Sequence, residues 1–290
     1  MSAFAIPLPA GYRPDWVFKY HGRDPAGPTE RVDGTRLTKA VDIGGRPVIL
    51  DMSIGGQSVG VATVPALSAE ETETARRIVA RMLGLTGDPT GFEARAATEP
   101  AVARLIGDRA GLRFPLSATI FEGLVWAIVG QQVNLTFAAT LRRTVIELAG
   151  MAAPDGMIVH PGPVAVAALD PEELGRRKFS RAKAAYLVGA ATAIAEGRLD
   201  LEALPTLPAE EAAARFAGIK GIGPWTANYV LLRACGHPDV VPAGDAGLAA
   251  GLQAYFGLDR RPTPEEQRTL MAPFAPHRSY ATGHFWAAWG

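Results

Sequence analysis

The chain has 290 residues, 48% of them hydrophobic, and carries 29 basic and 29 acidic side chains. That is a globular composition, long enough for two or three compact units, and its zero net charge argues against a uniformly basic nucleic-acid binder while leaving room for a local basic face. A single cysteine, Cys235, excludes an intramolecular disulfide and any all-cysteine metal or iron–sulfur site within one chain. No run is apolar enough to cross a bilayer, and MSAFAIPLPAGYRPDW lacks the basic start and apolar core of a secretion signal, so a cytoplasmic location is expected.

Near the N-terminus Trp16, Phe18 and Tyr20 cluster; they are assigned to the core of the first unit rather than to the edge of a pocket. Residues 29–64 read as strands. RVDGTRLTKAVDI, GRPVILDMSI and QSVGVATV are rich in β-branched residues and separated by Gly44-Gly45 and Gly55-Gly56, which signal tight hairpins of an antiparallel sheet. LSAEETETARRIVARMLG follows. Ser68 and Glu71 have capping-box spacing, and Ile78, Val79, Met82 and Leu83 form a helical apolar stripe. An α+β unit therefore closes near residue 90.

Beyond it the reading is almost wholly helical: 99–107, 117–131, 134–149, 171–176, 181–196, 209–217, 224–235, 246–256 and 264–274, separated by Pro and Gly. Residues 150–163 read as a loop. GRRKFSRAKAAYL (175–187) is a basic cluster, in isolation a solvated helix face.

The most distinctive segment is GIKGIGPWTANYV (218–230). Pro224 suits the first turn of a helix, because its missing N–H is one the helix would leave unpaired. Gly221 and Gly223 can take φ > 0 and leave no side chain above the backbone, baring amides on which a phosphate can sit. A plain helix–turn–helix connection fits equally well. A Rossmann turn is excluded by the missing third glycine and the preceding helix, and a P-loop by the lack of GK[ST]. Downstream, Asp245 in VVPAGDAGL immediately precedes an apolar-periodic helix. Aspartate is a preferred N-cap, so pattern alone leaves capping and chemistry open.

Together these segments carry a resemblance. GIKGIGPWTANYV followed by VVPAGDAGL resembles the helix–hairpin–helix DNA glycosylase superfamily, with FEGLVWAIVGQQVNLTFAATL (121–141) similar to its first body helices and PHRSYATGHFWAAW (276–289) to the closing helix of its 3-methyladenine DNA glycosylase II branch. The likeness is clear from about Leu112 to Gly290. It implies an N-terminal α+β domain over 1–90, a central helical domain with the hairpin over 119–236, and a second helical subdomain from 91–118 and 237–290 that carries the catalytic aspartate.

The same resemblance implies the chemistry: Asp245 catalytic, Trp225, Tyr229 and Trp286 around a flipped base, and Lys220, Gly221, Gly223, Thr226, Gln131 and Gln132 toward DNA. Trp225 and Tyr229, four apart, share one helix face, and an alkylated purine is a cation in its nucleotide, which indole and phenol faces attract. Trp225 also stands where strand-cutting members keep a Schiff-base lysine, so base release without strand cleavage is implied. Gln132 matches the duplex wedge, a leucine in the best-known bacterial form, and Ala246 stands where a bulkier aromatic can occur. No cofactor is expected beyond a Na or K ion on the main-chain oxygens of Ala217, Ile219 and Ile222; His237, His277 and His284 lack zinc spacing. The expected partner is double-stranded DNA containing alkylated bases, bound by a monomer, with Arg142, Arg143, Arg181, Lys183 and Lys220 near the contact face. A hairpin protein that only holds damaged or bent DNA is the alternative.

Overall fold

The structure, a computed structural model, describes residues 2–289. Strand β1 (Ser2–Pro7) and helix α1 (Asp15–His21) precede the sheet strands β2 (Glu30–Asp33), β3 (Arg36–Ile43), β4 (Arg46–Gly55) and β5 (Ser58–Val64). β2 to β5 form an antiparallel meander, and β1 adds to β5, giving the order β1-β5-β4-β3-β2. Two details differ from the sequence reading. The first strand segment breaks at Gly34-Thr35, where Asp33 pairs with Arg36 across an Asp-Gly turn. The last hairpin turns at Gly56-Gln57, with Gly55 paired to Ser58. β1 escaped the pattern because its proline, Pro7, suits only an edge strand.

Helix α2 (Ala69–Met82) starts on the Ser68–Glu71 capping box, Glu71 N–H donating to Ser68 Oγ at 3.2 Å and Ser68 N–H to Glu71 Oε2 at 2.8 Å. Its buried stripe of Ala75, Ile78, Val79 and Met82 packs with Leu37, Val41, Val48, Leu50 and Met52 of the sheet.

The body begins with α3 (Thr90–Ala94), α4 (Pro100–Ile106), α5 (Ile120–Val129) and α6 (Leu135–Ala149). Every residue of α5 is buried. A helix apolar all round belongs at the centre, and α5 packs on α6 and on later helices. The expected loop at 150–163 instead holds a hairpin of β6 (Met151–Ala152) and β7 (Ile158–Val159). Met157 and Val159 pack there on Ala40 and Ile49, covering the sheet's other face. Strands of two residues carry too little alternation to be read from sequence.

The chain continues through α7 (Pro163–Ala167), α8 (Pro171–Arg176), α9 (Arg181–Ala195), α10 (Ala209–Ala214), α11 (Pro224–Val230), α12 (Ala246–Phe256), α13 (Pro264–Met271) and α14 (Arg278–Trp289). Two cores result. One gathers around α5, α6, α9 and α11; the other unites Phe92, Leu105, Leu248, Leu252, Tyr255, Phe274 and Phe285. On α14, Trp286 belongs to the first and Phe285 to the second. The helix therefore lies along the seam between them.

Four buried charges join sheet and body. Lys39 Nζ on β3 lies 2.7 Å from Glu30 Oε2 on β2 and 2.6 Å from Glu122 Oε1 on α5. Arg142 on α6 bridges the same two carboxylates, 3.1 Å from Glu30 Oε1. Arg142 was expected on the DNA-facing surface. It is instead wholly buried, because two carboxylates inside the junction need its charge.

Candidate active site at the helical seam

The hairpin runs from α10 to α11. α10 ends at Ala214, short of its expected end, and tighter i→i+3 bonds (Phe216 N–H to Ala213 O, Ala217 N–H to Ala214 O) close it. Of the two glycines free to take positive φ, Gly221 does so at +89°, and Gly223 is the extended N-cap of α11 at φ −89° and ψ 179°. Gly221 is required twice over: a Cβ there would lie 2.1 Å from the Tyr186 ring of α9. A Cβ on Gly223 would meet nothing within 4 Å, so that loop surface is open. Lys220 is exposed beside it.

Two expected contact residues sit behind this surface. Thr226 is 2% exposed, and Gln131 Nε2 donates to its Oγ1 at 2.9 Å and to Gly221 O at 2.8 Å. They tie the GQQ turn between α5 and α6 to the hairpin. Lys183, expected at the DNA face, is also buried, and its ammonium donates to Val129 O at 2.7 Å and Gln131 O at 2.9 Å. Burial lowers its pKa. Held from both sides, the turn presents Gln132 to solvent in the left-handed region, φ +56°, a strain of about 1–3 kcal/mol for a residue other than glycine.

Asp245 lies across the seam. It does cap α12: Oδ1 accepts from Leu248 N–H at 2.8 Å. The same carboxylate also receives both indoles named from the sequence. Trp286 Nε1–H donates to Oδ1 at 2.8 Å, and Trp225 Nε1–H to Oδ2 at 3.4 Å. Gly247 permits the first contact, since a Cβ there would press on Trp286 at 3.0 Å. Ahead of the aspartate, buried Gln267 of α13 accepts from Gly244 N–H at 2.8 Å and fixes the turn. No local pattern marks Gln267, because its partner lies 23 positions away in the chain.

The rings form a continuous wall. Trp225 and Tyr229 centroids are 5.3 Å apart, Tyr229 and Trp286 6.0 Å, and Trp286 stacks on Phe114 at 5.9 Å. Tyr229 OH accepts from Trp126 Nε1–H at 3.1 Å, and burial pushes its pKa up to about 12, so the phenol stays neutral. Sequence reasoning missed Arg233. Its guanidinium lies 4.2 Å from the Phe114 ring centre, 4.4 Å from Tyr20, 4.7 Å from Trp286 and 5.9 Å from Trp16. The N-terminal aromatics thus divide: Phe18 packs in the sheet core, whereas Trp16 and Tyr20 turn to Arg233 behind the wall. The signal was available, because 225, 229 and 233 are successive steps of four. Beyond α11 the helix widens into a π-turn over Leu231–Cys235, a device common at functional sites, and Arg233 projects from it.

The histidines are framework. His237 Nε2 is 3.0 Å from Leu204 O, and His284 packs at 5.6 Å from Phe92, burial pushing its imidazole down to about 4. Among the described residues no cluster of three or more His, Cys, Asp or Glu is placed to hold a metal, and no helix is long and apolar enough to cross a membrane.

Two helices joined by a glycine hairpin, in a helical body beside a small antiparallel sheet, make up the fold of the helix–hairpin–helix base-excision proteins. The chain belongs to the HhH-GPD superfamily of base excision DNA repair proteins, whose family model matches residues 125–276. It is 33% identical over 205 residues to a DNA-3-methyladenine glycosylase of Bacillus subtilis (strain 168), spanning 70% of this chain and 68% of that one. To DNA-3-methyladenine glycosylase 2 of Escherichia coli (strain K12) it is 35% identical over 190 residues, 64% of each chain. The solved 3-methyladenine DNA-glycosylase from Archaeoglobus fulgidus shares the fold at a TM-score of 0.85 with 23% identity, over 98% of this chain and 97% of that one.

Proposed function

We propose that the chain is a monofunctional DNA glycosylase that flips alkylated bases of the 3-methyladenine type from duplex DNA and hydrolyses the N-glycosidic bond. The observation that carries this reading is the Asp245 carboxylate held by the indole N–H groups of both Trp225 and Trp286. A base extruded from the duplex meets three electron-rich rings, each contact with a cationic base contributing about 0.5–2 kcal/mol. An alkylated base is already a good leaving group, so one carboxylate can serve where ordinary glycosidases need two. Asp245 stabilises the oxocarbenium ion that develops on the sugar and orients the attacking water. The Trp225 indole offers no amine for a Schiff base, which supports release of the base without cutting the strand.

The open loop at Gly223, with Lys220 beside it, takes a phosphate on one side of the lesion, and Gln132 fills the gap the base leaves. A Na or K ion on the main-chain oxygens of Ala217, Ile219 and Ile222 belongs to the same reading. Ile219 O accepts from Ile222 N–H at 3.1 Å and keeps a lone pair. Such an ion would add positive charge beneath the phosphate. Carboxylate, rings and hairpin all come from one chain, so a monomer suffices.

Asp245→Asn is a clean test, because asparagine is also a good N-cap and preserves α12. The variant should bind duplex as the wild type does and release base from methylated DNA at least about a hundredfold more slowly. Free base from the wild type without strand breaks before alkali is the expected product. Binding with no free base would establish a protein that only holds DNA, and breaks before alkali would establish a lyase.

A further inference from the structure

Arg233 is 5% exposed, and among the described residues its guanidinium makes no ion pair. One hydrogen bond, Nη1–H to Pro115 O at 3.2 Å, is its side-chain contact with a polar group, and the buried Nε has no partner. Four rings surround it, and one of them, Trp286, also donates to Asp245 from its indole edge. A buried cation without a counterion is costly, and aromatic faces offset that cost only in part. Burial lowers the Arg233 pKa, with Tyr229, Tyr20 and Asp245 opposing that fall and Arg23 adding to it. Packing alone does not call for a charge there, since methionine or leucine fills such a box without that cost.

We propose that Arg233 is a positioning residue for base release: it seats Trp286 against Asp245 and places a fixed positive charge behind the base side of the pocket, opposite the carboxylate on the sugar side. This rests on the glycosylase reading above. In that reaction the C1′–N9 bond breaks and its electron pair stays on N9, neutralising the cationic ring. The positive charge passes to C1′–O4′. Water then adds to C1′ and gives its proton to the Asp245 carboxylate, which returns it to solvent. One unit of positive charge thus moves from base to sugar, away from Arg233 and toward Asp245. A fixed charge pair oriented this way favours the transition state over the bound cationic base, which is how preorganised dipoles accelerate a reaction.

The arrangement predicts opposite effects on binding and on chemistry. Arg233→Gln removes the charge while retaining an N–H for Pro115 O; Arg233→Lys retains the charge. Single-turnover release of N7-methylguanine from duplex should fall about ten- to a hundredfold in Arg233→Gln and recover most of that loss in Arg233→Lys. Ground-state affinity is read with two uncleavable duplexes, 2′-fluoro-N7-methylguanine and its uncharged 7-deaza analogue, each opposite an abasic site so that neither base pairs. Arg233→Gln should bind the cationic duplex more tightly relative to the neutral one than the wild type does. An equal loss of affinity for both duplexes alongside the slower rate, or a wild-type rate, would overturn the proposal. Should Arg233→Gln not fold, Arg233→Met, which fills the same box without the charge, takes its place: it too should lose rate and gain relative affinity for the cationic duplex, and an unchanged relative affinity sinks the idea. Absence of base release from the wild type would instead remove the glycosylase reading itself.

Discussion

Single residues at this site serve two purposes at once. Asp245 caps α12 and gathers two indoles, which is why the sequence pattern left its role open: the cap is real and hides nothing of the chemistry. Gly221 is more readily tested. Any side chain there adopts the left-handed backbone, at about 1–2 kcal/mol, and runs into the Tyr186 ring, at about 1–3 kcal/mol for overpacking. Gly221→Ala should therefore lower stability by about 2–5 kcal/mol, read as a drop in the urea midpoint, and weaken duplex binding as the loop shifts. Gly223→Ala, in an extended conformation and facing open space, should change stability by less than about 0.5 kcal/mol. Equal midpoints for both variants would refute the assigned difference. The same scale shows what the sequence withheld. Trp225 and Tyr229 were readable because helical spacing put them on one face. Trp16 and Tyr20 were not, because their partner Arg233 lies some 200 positions on and only the folded chain joins them.

At the scale of elements, length decided what could be read. The long strands β3 and β4, the capped helix α2 and the longer body helices announced themselves through period and punctuation. β1 is an edge strand with proline, β6 and β7 are two residues each, and α3 and α7 are single turns; tertiary contacts rather than local pattern hold these in place. The buried charges joining sheet and body were illegible for another reason. Arg142 looks like any surface arginine in LRRTVIEL, and only the arrival of Glu30 from β2 explains its burial. These charges make the junction acid-sensitive. Burial would raise Glu122, but Lys39 and Arg142 pull it down to about 2, and Glu30 lies well below the usual range, burial being outweighed by Arg142 and then Lys39. Both carboxylates are thus more acidic folded than unfolded. Their contribution is complete above the ordinary pKa of about 4.3 and is lost as pH falls from there through the folded values. Arg142→Met leaves the two carboxylates with Lys39 as their one remaining lysine or arginine ion-pair partner, and should cost about 3–5 kcal/mol at neutral pH. It should also raise the pH midpoint of acid unfolding in a circular-dichroism titration. A variant with wild-type stability and the same acid midpoint would show that the junction does not depend on this charge.

For the whole molecule the question is how a chain of zero net charge engages a polyanion. Burial answers part of it, since Arg142, Lys183 and Arg233 are spent inside the fold. Pairing answers another part: Arg176 and Arg177 of the basic cluster both bind Glu173, and Arg143 pairs with Asp24. What stays exposed and outside any ion pair among the described residues near the hairpin is Lys178, Arg181 and Lys220. Lys178 and Arg181 stand at the start of α9, the helix whose Lys183 holds the GQQ turn and whose Tyr186 packs under Gly221, so all three cations flank one surface. Each phosphate neutralised contributes roughly −0.9 to the slope of log K against log salt. Three cations predict a slope of about −3, shallow for a DNA-binding protein and consistent with affinity that comes largely from the flipped base. Fluorescence anisotropy with a lesion duplex across a salt series measures it. Removing Lys178, Arg181 or Lys220 singly should make the slope shallower by about one unit, whereas Arg176→Ala should leave it nearly unchanged. A slope near zero would mean the backbone is not engaged through charge, and one steeper than about −6 would mean that cations assigned here to ion pairs are released to the DNA.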